Sequence, residues 1–146
     1  MKEEILALVV HSNEAPVEAL EKVLENEMIQ IDRVRTCKEA SWRLASSNPP
    51  HLVFTGTNLL DGGWNEVLDL AAMATEPVSV IVLAPFSSIA LYRAVMEGRA
   101  FDFITHPFTL PDLTHLVRSA VEDVSSRRKR HLSALVPVTA RALGTS

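Results

Sequence analysis

The chain has 146 residues, 47% hydrophobic and 22% charged, with a formal net charge of −4 and one cysteine, Cys37. This composition predicts one folded soluble domain with a real core, and it excludes an internal disulfide framework and, with no apolar run near 20 residues, a membrane span. Residues 125–146 carry Arg127, Arg128, Lys129, Arg130 and Arg141 and no acid, which leaves −9 on residues 1–124. Nucleic acid is therefore expected to find no groove on the acidic body and at most a weak contact on the basic tail.

The N-terminal residues MKEEILALVVHS hold a short apolar run without a small-residue cleavage site, which reads as a strand rather than a signal peptide. A lone cysteine fits a reducing compartment, so the expected location is cytoplasmic.

In chain order, residues 5–10 (ILALVV) suit a strand buried on both faces. Ser12 or Asn13 can cap a helix opening near Pro16, with Val17, Leu20, Val23 and Leu24 at helical spacing. Residues 28–34 (MIQIDRV) alternate and predict a partly exposed strand, and residues 38–46 a helix stopped by Asn48-Pro49-Pro50. A third strand over 52–54 leads through a glycine-rich loop into a helix over 65–74. The most apolar strand follows at 78–84, then a helix capped by Ser87 or Ser88 and ended by Gly98. A fifth strand spans 101–105. Pro111 opens a last helix with the stripe Leu113, Leu116, Val117, Ala120, Val121 and Val124. Five strands alternating with five helices predict an α/β fold, a doubly wound parallel sheet with helices on both faces and right-handed crossovers. Residues 125–146 are expected to extend the last helix or to begin a linker.

Two segments carry a resemblance. KEASWRLASSNPPHLVFTGTNLLDGG (38–63) is similar to the second helix, third strand and following loop of the receiver domain of bacterial response regulators. AVMEGRAFDFITHPFTLPDLTHLVRSAVE (94–122) is similar to that family's last elements, with His106-Pro107-Phe108 in place of its Lys-Pro-Phe signature. The resemblance covers residues 4 to about 124 and implies a flavodoxin-like sheet of order 2-1-3-4-5.

The family transfers a phosphoryl group to an aspartate, using acids that hold Mg²⁺ and a hydroxyl and a lysine that hold the phosphoryl oxygens. Matched position by position, the aspartate corresponds to Gly56, the hydroxyl residue to Ala84 and the lysine to His106. The acid pair falls on His11-Ser12 counted from the strand, or on Asn13-Glu14 counted back from Pro16. His11, Ser12, Glu14, Gly56, Ala84 and His106 would then line a vestigial phosphorylation pocket unable to take a phosphoryl group by the usual route. Asp61 reads as a turn former beside Gly62-Gly63. Thr55 and Thr57 have no general base beside them, and Phe103 takes the place of the family's switch aromatic, as core or interface.

The resemblance implies a signal-transduction module that works without phosphorylation, binding a protein partner or a second copy of itself through the fourth helix, fifth strand and fifth helix. The residues expected on that surface are Ile89, Tyr92, Arg93, Met96, Asp102, Phe103, Phe108, Asp112, His115 and Arg118. The alternative is a domain binding a small anion at the vestigial pocket through the amides of Gly56, Thr57, Asn58, Gly62 and Gly63, or sensing a metal through His11, His106 and Glu14. His51, His115 and His131 show no partner in the sequence. HSNEAP is no flavin phosphate loop, and no nucleophile–base pair, HExxH, Walker loop or dinucleotide fingerprint is present. The expectation is no enzyme, no cofactor and no metal.

Overall fold

A computed structural model of the chain describes residues 4–11, 17–85, 88–105 and 108–135. The first strand, β1 (Leu6–Val10), has four of its five side chains buried, as a run without polar alternation requires when both faces are covered. Helix α1 (Val17–Asn26) buries Leu20, Val23 and Leu24. The proposed caps Ser12 and Asn13 and the opening Pro16 lie outside the described residues. Met28 takes φ 60°, the left-handed turn that redirects the chain into β2 (Gln30–Val34).

Helix α2 (Cys37–Leu44) opens on a capping box that the sequence reading missed, although Thr-x-x-Glu stands at 36–39. The Thr36 hydroxyl oxygen accepts from the Glu39 amide at 3.1 Å, and the Glu39 carboxylate accepts from the Arg35 amide at 3.3 Å. Strand β3 (Leu52–Gly56) is buried along its whole length. The loop after it is a two-stranded antiparallel ribbon, β4 (Asn58–Leu59) and β5 (Gly62–Gly63), which the sequence had suggested only as a loop. Helix α3 (Trp64–Ala72) follows directly, then the fully buried β6 (Ser79–Ala84).

Ser88 caps α4 (Ile89–Glu97), its Oγ accepting from the Leu91 amide at 3.2 Å, and the other proposed cap, Ser87, lies outside the described residues. Gly98 ends that helix as expected, yet the left-handed residue is its neighbour Arg99, at φ 69°. Strand β7 (Asp102–Thr105) leads to α5 (Leu110–Leu135). Pro111 is the second residue of α5, and Thr109 caps it, accepting from the Asp112 amide at 3.1 Å.

The main sheet is parallel with order β2-β1-β3-β6-β7, so β6 and β7 are its fourth and fifth strands. The order expected from the resemblance is the one found. Helices α1 and α5 cover one face around Phe54, Leu20 and Leu113, and α2, α3 and α4 cover the other around Leu8, Val53 and Val67. Each fully buried leucine or phenylalanine contributes roughly 1.5–3 kcal/mol. The expected stripe of α5 is the side that packs, with Val121 partly buried and the other five residues buried. The helix then continues unbroken through residues 125–135.

Candidate functional site at the carboxyl edge of the sheet

Parallel strands bring their carboxyl ends to one edge, where open α/β sheets place their sites. Here that edge carries His11 just past β1, Gly56 closing β3 and Ala84 closing β6. Register sets the neighbours: Gly56 pairs with Leu83, and Ala84 with Thr105. His11 is held by its backbone, whose amide donates to the Val34 carbonyl of β2 at 3.1 Å. Its ring turns over β3, so that a β-carbon added to Gly56 would stand 3.0 Å from Cδ2 and 3.3 Å from Nε2. Glycine is needed there for this close approach; its φ is not in the left-handed region.

His11, Gly56 and Ala84 therefore share the edge as expected, and Ala84 is buried with no hydroxyl to offer. Ser12, Glu14 and His106 lie outside the described residues. Thr55 is buried and its hydroxyl donates to the Gly56 carbonyl at 3.0 Å, which commits it to the backbone. Among the described residues no three His, Cys, Asp or Glu side chains gather as a metal site. A cleft of about 470 Å³ opens beside His11, lined by Val9, Glu18, Arg33, Arg35 and Glu39 among others. Its charges are mixed, and Arg33 is paired with Glu21.

Asp61 does more than form a turn. Its carboxylate accepts from the Cys37 amide at 2.7 Å and the Lys38 amide at 3.0 Å, pinning the β4–β5 ribbon to the N-terminus of α2. With Thr36 on Glu39, the first three amides of that helix are all satisfied. These backbone hydrogen bonds, the Cys37 amide foremost, hold Asp61 below the ordinary carboxylate range. The same corner buries Cys37. Burial first, then the Asp61 and Glu66 carboxylates, pushes its thiol up to about 11.

The residues expected on an interaction face differ in exposure. Ile89 and Tyr92 are 75% and 47% exposed on α4, and Leu110, which the sequence reading passed over, is 51% exposed at the start of α5. Tyr92 meets Phe103 edge-on, ring centroids 5.8 Å apart, which ties α4 to β7. Phe103, Met96 and Phe108 are half-buried against the core, so they support this face more than they present it. Arg93, Asp112 and His115 are exposed and Asp102 is half-buried. Arg118 is exposed but already forks Glu27, at 2.8 and 3.0 Å, and that hydrogen-bonded pair lowers the Glu27 pKa.

Two histidines without a visible partner in sequence have one in the fold. Buried His51 accepts from the Leu6 amide through Nδ1 at 3.2 Å, and His131 Nε2 meets the Thr75 carbonyl at 3.1 Å. The basic run is likewise not all solvated, since Arg127 and Arg128 turn inward.

No protein-family model matches the chain. No curated protein matches it either. Solved structures do. The signal receiver domain of an HD domain-containing protein from Pseudomonas fluorescens superposes with a TM-score of 0.78 at 21% identity, over 89% of this chain and 96% of that one. The chain has the response-regulator receiver fold. A signal receiver domain from Vibrio parahaemolyticus gives a TM-score of 0.75 at 22% identity, over 84% and 94% of the two chains. A response regulator receiver domain protein from Methanospirillum hungatei gives 0.72 at 16% identity, over 85% and 98%. In this receiver fold the edge bearing His11, Gly56 and Ala84 is where the resemblance placed the phosphorylation pocket.

Proposed function

We propose that this receiver-fold domain transduces signals in the cytoplasm without catalysis and without phosphorylation, by binding a protein partner or a second copy of itself through α4, β7 and α5. The observation that carries the reading is the His11 ring packed over Gly56. The position matched to the nucleophile has no side chain, and the room such a side chain would use is filled. Ile89, Tyr92 and Leu110 are exposed apolar residues of α4 and α5, and Arg93, Asp112 and His115 are exposed on the same two helices, a mixture suited to an interface. Mixed charge on one face suits a two-fold contact in which the basic residues of one copy meet acids of the other.

Sedimentation velocity tests the reading across a concentration series, with and without acetyl phosphate and magnesium. The expected result is an assembly indifferent to phosphodonor and weakened by Tyr92→Arg. An acyl phosphate formed in stoichiometric amount would overturn it. A monomer at every concentration would exclude self-association and direct the search to another protein.

A further inference from the structure

Helix α5 is too long for the body it packs against. Its 26 residues span about 39 Å at 1.5 Å per residue, against about 20 Å for the six residues of β6. The apolar stripe ends at Val124, and Leu132 beyond it is 66% exposed. A helix end of this kind gains little apolar burial and would by itself be marginal in water.

A polar clasp replaces the stripe. Arg128, 9% exposed, donates from Nε to the Pro77 carbonyl at 2.8 Å and from Nη2 to the carbonyls of Pro49 and Pro50 at 3.2 and 2.8 Å. The Glu76 carboxylate stands 3.6 Å away. Beside it Arg127 bonds Asp123 and Ser79, and about one turn on His131 meets Thr75. One flank of the helix end thus grips the two loops that enter β3 and β6, at the edge opposite Gly56.

The geometry points to a strap: residues 125–135 dock on the body through Arg128, and they release while the sheet stays folded. Release is possible without unfolding because the contacts are polar. On opening, the guanidinium and the loop carbonyls exchange one another for water, whereas the apolar contacts of Leu113 through Val124 stay buried. The strap stands independently of the role proposed for α4 and β7.

Hydrogen–deuterium exchange on the whole chain tests this, with Arg128→Met and Arg128→Lys beside the unchanged protein. The expected outcome is exchange across 125–135 at least tenfold faster in Arg128→Met, with an intermediate value in Arg128→Lys, while β3 and β6 keep their protection. Simple fraying would not respond to position 128, so an unchanged rate overturns the clasp. Loss of protection in strap and sheet together overturns independent release. Should Arg128→Met fail to fold, the unchanged protein in sub-denaturing urea decides: 125–135 opens before β3 and β6 if the strap is separate, and with them if it is not.

Discussion

The imidazole of His11 and the α-carbon of Gly56 are packed so closely that a β-carbon at 56 would come within 3.0 Å of the ring. Positions 11 and 56 are therefore coupled. Gly56→Asp is expected to cost about 1–3 kcal/mol, because the ring must shift and a carboxylate enters its place. The His11→Ala, Gly56→Asp double substitution should recover part of that loss, with a coupling of about 0.5–3 kcal/mol in urea unfolding. Strict additivity would mean the ring does not fill the pocket.

Asp61 should give the domain an acid-side instability. Its pKa is lowered by bonds made only in the fold, so the ionised form is favoured there. The stabilisation is complete above the unfolded aspartate value of about 3.9 and is lost as pH falls through the lower folded value. Thermal midpoints of the unchanged protein and Asp61→Asn should differ at neutral pH and converge towards acid. A constant gap across that range would show that charge is not what Asp61 contributes.

Cys37 should be unreactive in the native protein. With its thiol pushed up to about 11, almost no thiolate exists at neutral pH, and the group is buried as well. Iodoacetamide labelling is expected to proceed only through unfolding, accelerating sharply in urea. Because the folded pKa is raised, this thiol favours the fold below the free-cysteine value, and that contribution disappears as pH rises towards about 11. Rapid labelling under native conditions would contradict the packing of α2 on the β4–β5 ribbon.

Leu113 and Ile89 make a matched contrast. Leu113→Ala empties a fully buried site and should cost about 2–5 kcal/mol. Ile89, three-quarters exposed, should lose less than about 0.5 kcal/mol on truncation to alanine. Its substitution is expected to weaken association instead, read by sedimentation. A large loss of stability with unchanged association would place Ile89 in the core rather than on the interface.

The amino-acid sequence by itself determined the five main strands, the five helices and the residue types available at the carboxyl edge of the sheet. Those features are local: a strand buried on both faces must be continuously apolar, as Val80 to Ala84 are. A helix packed on one side must repeat as Leu113, Leu116, Val117 and Ala120 do. A glycine or alanine cannot supply a nucleophile or a hydroxyl wherever the fold puts it.

Only the tertiary structure decided which polar groups meet. Asp61 read as a turn former, and its amide partner at Cys37 is 24 residues away. Buried His51 bonds the Leu6 amide 45 residues earlier, and Arg128 read as part of a solvated basic run while its Nε partner, Pro77, lies 51 residues back. Burial leaves a period in the sequence because the chain repeats its own geometry every few residues. A hydrogen bond between loops leaves none, since it depends on how sheet and helices place two distant backbones. The His11 ring over Gly56 belongs to this second kind: the residues announced the loss of an acid, and only the packing of β1 beside β3 showed what fills its place.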